Sequence, residues 1–275
     1  MYNIHLEDYV PEPKPVGSDY IVCAHYYAAW KKGAAGLHNG FDDLHDYPER
    51  TPLMGYYAEE NPEVCDWEIK WAVEHGINCF IHCWYRRKYN EGKPVTENDL
   101  RCGHDLHEAL CNARYQKYMK FAIMYEASKR WGGTNAQDLL ENLMPFWMEN
   151  YFKRDNYLKI DGKPVLFVYD TSNQVRDAFA TAAEQKAAFD ACRAYAAEHG
   201  CKGLIIGLMN LTRDAEVLDD IYHNTFRSVQ RAYTFDTKKA ADYCEKIYDT
   251  VKDFDELPAE NKEEVLDCAK RLRAM

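Results

Sequence analysis

The chain has 275 residues, a formal charge of −11 and a pI near 5.4, and no basic stripe, so neither nucleic acid nor an anionic membrane surface is expected as its main partner. Its first residues, MYNIHLEDYVPEPKPVGSDY, carry no positive n-region and no apolar h-region, and residues 1–19 read as an extension rather than a signal peptide. The longest apolar runs, VLFVY and LIIGLM, are too short to span a bilayer, so a soluble, cytoplasmic protein is the expectation.

Residues 20–275 read as a single domain of alternating elements. YIVCAHYYAAW (20–30) is rich in β-branched and aromatic residues and predicts a strand. NPEVCDWEIKWAVEHG (61–76) predicts a helix, with Asn61 as cap, Pro62 in the first turn and His75–Gly76 at the end. Its stripe of Val64, Trp67, Trp71 and Ala72 assigns both tryptophans to the core. INCFIHCWY (77–85) is the second strand, a helix follows near 103–118, and KFAIMYEAS (120–128) is the third strand. A helix over about 136–152 leads to YLKIDGKPVLFVYD (157–170), where Asp161–Gly162 predicts a tight hairpin turn. A helix near 182–199 precedes the strand KGLIIGLMN (203–210). A helix near 213–221, a weak strand around 227–235 and polar helices from 237 onward complete the chain.

Strands alternating with amphipathic helices imply a parallel sheet wrapped by helices. An open nucleotide-binding sheet would place a glycine-rich turn after its first strand. Here that strand runs into HYYAAWKKG, which does not cradle a phosphate, so a (β/α)8 TIM barrel is favoured. Strand starts near 20, 77, 120, 163, 203 and 228 make six βα units, whereas a full barrel has eight. An incomplete barrel is therefore expected.

The ten cysteines are scattered and form no C-x-x-C. Cys79 and Cys83 share a strand face, but a zinc site would need two more convergent ligands. They read as buried reduced thiols, and no metal site is assigned.

Chemistry in such a barrel sits at the C-terminal strand ends. Those ends carry His25, Tyr26, Tyr27 and Trp30; His82, Trp84 and Tyr85; Tyr125 and Glu126; Tyr169 and Asp170; Met209 and Asn210. Aromatic faces stack on the C–H faces of sugars while carboxylates and amides hydrogen-bond their hydroxyls, so this set points to a glycan site. Glu126 ends an apolar strand that gives it little reason to be charged, and with Asp170 it would supply the two carboxyl groups of glycoside hydrolysis. Structural roles compete throughout. Glu126 could be a salt-bridged strand end, Asp170 a cap, and His25 and His82 satisfied core histidines. Only one of Tyr26 and Tyr27 faces the interior, and alternation turns one neighbour of every pair away.

HYYAAW, GYYAEENPEV, EHGINCFIHCWY, FAIMYEA and YLKIDGKPVLFVYD, in this order, resemble the family 99 glycoside hydrolases (endo-α-mannosidases) and the related WbsX-type proteins of polysaccharide gene clusters. The resemblance implies a (β/α)8 barrel acting on α-mannoside-type or related bacterial glycans, with no metal or organic cofactor. Glu126–Ala127 match the glutamate and small residue that end the third strand of that family. Tyr26, Tyr27, Trp84 and Tyr85 match aromatic positions lining its sugar site. The family's two working carboxylates, however, lie in an Asn-Glu-Trp-x-Glu-Gly stretch on a late strand, and this chain has no Glu-Trp dipeptide. Together with the strand count, this leads to the expectation of the N-terminal part of such an enzyme, with Glu126 and Asp170 as a substitute pair. Two alternatives stand beside it. One is a glycosyltransferase of surface-polysaccharide assembly, against which the lack of a convincing Asp-x-Asp or glycine-rich phosphate loop counts. The other is a non-catalytic glycan-binding relic that keeps the aromatic platform.

Overall fold

The computed structural model describes residues 10–208, apart from 18, 32–40, 42–43, 88–89, 128–132, 170–178 and 180, together with residues 245, 248, 249, 263, 266 and 270. Its framework is a six-stranded sheet of β1 (Cys23–Tyr26), β2 (Cys79–Trp84), β3 (Lys120–Tyr125), β4 (Lys159–Ile160), β5 (Lys163–Val168) and β6 (Ile205–Leu208). β1, β2, β3, β5 and β6 lie side by side in parallel, and β4 pairs antiparallel with β5. The β4–β5 hairpin turns on Asp161 and Gly162, with φ of 53° and 80°, the two positive angles that a two-residue type I′ turn requires.

Among the described residues, the helices that can be traced are α1 (Pro62–Glu74), α2 over residues 136–152, and α3 (Ala182–Glu198). α1 starts where expected: the Asn61 side chain accepts a hydrogen bond from the Glu63 N–H at 3.0 Å, and Pro62 occupies the first turn. α3 is capped in the same way by Thr181, whose hydroxyl accepts from the Glu184 N–H at 3.1 Å. α2 alternates α turns with the wider π turns Leu139–Leu143 and Met148–Phe152. Pro145 lies just after the first of these, where its missing N–H has no bond to make to the preceding turn. The helix expected near 103–118 is instead a π turn, Asp105–Ala109, and two 3-10 turns, Leu110–Asn112 and Gln116–Tyr118. The strand expected over 20–30 is shorter, Cys23–Tyr26. The elements expected near 213–221, at 227–235 and beyond 237 lie outside the described residues, save isolated positions.

α1, α2 and α3 pack on one face of the sheet. The core joins Ile69 and Val73 of α1, Leu143 and Trp147 of α2, and Phe189 and Cys192 of α3 to the outward side chains of the strands. Phe80, Trp84, Phe121, Ile123, Leu166 and Ile206 are the sheet's share of that layer. The opposite face carries a small cluster of Ile81, Cys83 and Met124, with Cys23, Tyr85 and Phe167 against it. A doubly wound sheet carries helices on both faces. This one is the wall of a (β/α) barrel, and among the described residues it does not close: β1 pairs with β2 and β6 with β5.

Tyr157 ties β3 to β5. Its buried hydroxyl donates to the Val165 carbonyl at 2.8 Å and accepts from the Ile123 N–H at 3.3 Å. Replacing it with phenylalanine strands both backbone groups in the core and is expected to cost about 1–2 kcal/mol. Urea unfolding should show a lower midpoint at unchanged slope.

Candidate active site

The register of the parallel strands builds the site in levels. Cys83, Met124 and Phe167 are aligned across β2, β3 and β5, and β6 contributes Gly207 beside Phe167. A Cβ on Gly207 would lie 2.8 Å from Phe167 Cδ1, so glycine leaves room for the ring to cover the floor. The last paired residues are Trp84, Tyr125 and Val168. One residue further on stand Tyr85, Glu126 and Tyr169. The ladder reaches this level: the Glu126 N–H donates to the Trp84 carbonyl at 3.0 Å and the Tyr169 N–H to the Tyr125 carbonyl at 2.9 Å. Pleat alternation therefore sets Tyr85, Glu126 and Tyr169 above the floor of Cys83, Met124 and Phe167.

Tyr27, just past β1, completes the group, its ring centroid 6.1 Å from that of Tyr85 in an edge-on arrangement. Tyr27 and Tyr169 are 51% and 45% exposed, whereas Glu126 is 6% exposed. A nearly buried carboxyl group thus lies beneath a rim of tyrosines. His25 is exposed on the same face, one level below Tyr27, and partial burial lowers its pKa.

The other candidates point the opposite way. The Tyr26 hydroxyl donates to Glu68 Oε2 at 2.8 Å, under α1. His82 Nδ1 lies 2.5 Å from Asp105 Oδ2. The Trp84 indole N–H donates to the Tyr151 hydroxyl at 3.1 Å, and Tyr125 packs edge-on against Trp84 and Trp147. These four side chains belong to the helix-facing layer, because each directly precedes or follows an inward-facing neighbour. Trp30 stacks on Phe41 at 5.0 Å, while its backbone N–H donates to Glu59 Oε2 at 2.7 Å. Asp170 and Asn210 lie outside the described residues.

Sequence reasoning passed over the segment that borders Tyr85. Residues 99–101 run antiparallel to 85–87, with the Arg101 N–H donating to the Tyr85 carbonyl and the Arg87 N–H to the Asp99 carbonyl, each at 3.0 Å. This sets Arg101 beside Tyr85. Arg86, the next residue, is buried and paired through both terminal nitrogens with Asp138 at the start of α2. Burial works to raise the Asp138 pKa, but hydrogen bonds from Arg86 and Thr134 hold it below the usual value. The signal was an arginine at the end of an otherwise apolar strand.

Behind the mouth lies a polar layer of Glu59, Glu68, Asp105, His82, His104 and Tyr26. His104 Nε2 is 3.3 Å from Glu59 Oε2. Burial pushes the Glu68 carboxyl up to about 7, with Glu59 and Asp105 adding to the rise and the Tyr26 hydrogen bond opposing it.

A family profile described as glycosyltransferase WbsX matches residues 28–270. The chain belongs to the WbsX family. Comparison with curated proteins finds no match. Among solved structures, the family 99 endo-α-mannosidase from Bacteroides thetaiotaomicron, in complex with bis-tris propane, is 13% identical with a TM-score of 0.50, covering 92% of this chain and 80% of that one. A second structure of the family 99 endo-α-mannosidase from the same organism is 17% identical with a TM-score of 0.49, covering 82% and 68%. The first of these establishes a shared barrel fold. WbsX membership makes this a carbohydrate-active protein, and no described helix is long and apolar enough to cross a membrane.

Glu68 gives the WbsX chain a pH signature. Its native pKa of about 7 lies above the ordinary 4.5, so its contribution to stability is complete below the unfolded value and is lost as pH rises through the native one. Glu68→Gln should remove this dependence. Relative to the parent, the variant should gain on the order of 1–3 kcal/mol between about pH 5 and pH 8, measured by urea unfolding.

Proposed function

We propose that the chain binds an α-mannoside-type or related bacterial glycan at the mouth formed by Tyr27, Tyr85, Glu126 and Tyr169, and cleaves it as a glycoside hydrolase. The observation that carries this reading is the row of Tyr85, Glu126 and Tyr169 on one level of the barrel's inner face. Tyrosine rings give a sugar apolar faces and hydroxyl partners, while a carboxyl group below them is placed to exchange a proton with a glycosidic oxygen or a bound hydroxyl. Hydrolysis needs a second carboxyl group across the bond. Asp170, which follows Tyr169 in the sequence, is proposed for that role. The fold shared with a protein named as an endo-α-mannosidase supports the α-mannoside assignment.

The family's description as a glycosyltransferase favours a second reading. The same mouth would then pass the sugar to an acceptor hydroxyl instead of water. Product analysis of α-mannan digests, with and without an added acceptor sugar, separates hydrolysis from transfer.

Glu126→Gln is expected to lower turnover about 10²–10⁴-fold with little change in KM, the effect of removing a general acid–base group. Tyr85→Ala should act mainly on KM, through lost ring contact. Tyr125→Phe, in the helix-facing layer, should leave both near the parent values. Binding of α-mannan without release of reducing ends would sink the hydrolytic reading and leave a glycan-binding protein.

A further inference from the structure

Trp67 and Trp71, assigned to the core from their helical spacing, are not sealed inside it. α1 buries Cys65, Asp66, Ile69 and Val73, which leaves Val64, Trp67 and Trp71 along its flank, partly exposed. The two indoles lie 5.4 Å apart at 40° and form one wall of a cleft of about 370 Å³. Tyr57, Met54 and Leu53 form the facing lip, with Asn61 and Glu63 at the helix start. The lip is shaped by a turn in which the Gly55 N–H donates to the Pro52 carbonyl at 2.8 Å, and Gly55 takes a φ of 73° that favours glycine. Leu53 at its tip is 92% exposed.

The volume falls in the range of small-molecule sites, roughly 300–1,000 Å³. The lining combines adjacent aromatic faces with one amide and one carboxylate, the chemistry that recognises the C–H face and the hydroxyls of a sugar. The cleft takes in the start of α1, the helix that follows β1, and a row of rings leads to it from that strand: Trp30, just past β1, stacks on Phe41 at 5.0 Å and 4°, and Phe41 meets Tyr57 of the cleft at 5.0 Å.

We propose that this cleft is a second glycan-binding site, which holds sugar units of a chain extending beyond the mouth. The inference rests on the reading of the protein as glycan-binding. Its occupant is a neutral oligosaccharide segment that stacks on Trp67 and Trp71, with Glu63 and Asn61 bonding its hydroxyls.

The test uses the full chain labelled with 5-fluorotryptophan. The signals of Trp67 and Trp71, two of six tryptophans, are identified from Trp67→Phe and Trp71→Phe. Titration with α-mannan should shift both signals, and should still do so in Glu126→Gln. Trp71→Ala and, should that variant fail to fold, Tyr57→Ala should lower affinity for the polymer about tenfold. Affinity for α-mannobiose, short enough to sit in the mouth alone, should be unchanged, whereas Tyr85→Ala should weaken both ligands. Polymer binding that leaves the Trp67 and Trp71 signals unmoved would overturn the second site while keeping the mouth. Failure of any α-mannoside to bind would remove both readings together. Signals that move with protein concentration, without glycan, would instead mark the cleft as a contact between copies of the chain and overturn the proposal.

Discussion

Pleat alternation under a fixed parallel register governs most of this structure. With α1, α2 and α3 packed on one face of the sheet, inward side chains such as Ile81, Cys83 and Met124 make a thin apolar floor below the mouth, and outward ones such as Phe121 and Ile123 join the thick core. A slip of one residue in β3 would carry Glu126 under the helices and bring Tyr125 to the mouth. Two features hold the register. Tyr157 bonds β3 to β5 with its hydroxyl, and the aromatic outer layer of Phe121, Tyr125, Trp84 and Trp147 packs edge to face. On the inner face the floor is more crowded, and Gly207 leaves the space that the Phe167 ring occupies.

The same layer must also satisfy its polar atoms. Trp84 donates to the Tyr151 oxygen, which leaves the Tyr151 hydroxyl proton for His107 Nε2 at 2.7 Å and the His107 Nδ1 proton for Glu97 at 3.1 Å. With His107 neutral, its Nε2 gives the Tyr151 hydroxyl proton an acceptor, so every proton in the chain is bonded, and burial lowers its pKa accordingly. The chain leads from a fully buried indole to an exposed carboxylate, so neither of its own ends is left in the core; the Tyr125 hydroxyl and the Trp147 indole N–H in the same layer are buried without a hydrogen bond among the described residues. Beyond the strand ends, Arg86 does similar work against Asp138, joining the segment after β2 to the start of α2. The charge is costly to bury, but the guanidinium is paired through both terminal nitrogens and Asp138 accepts further bonds from Thr134 and Asn142. Tyr85 and Arg101 are thereby carried on a braced segment rather than a free loop.

The residues themselves carried the alternation of strands and helices, the cap at Asn61, the hairpin at Asp161–Gly162 and the place of Glu126 at a strand end. Each is a local consequence of periodicity, of a side chain able to bond the backbone nearby, or of a positive φ. Which member of each aromatic pair meets the mouth was a tertiary decision. Tyr26 and Tyr27, or Trp84 and Tyr85, are equally plausible neighbours until the helices choose a face. The tryptophans of α1 show the same limit from the other side: helical spacing marks a stripe, but only the packing partners decide whether that stripe is sealed or lines a cleft. Arg86 with Asp138 and His82 with Asp105 are 52 and 23 residues apart. No local pattern links such residues, because the contact exists only once separate elements have been laid on the same sheet.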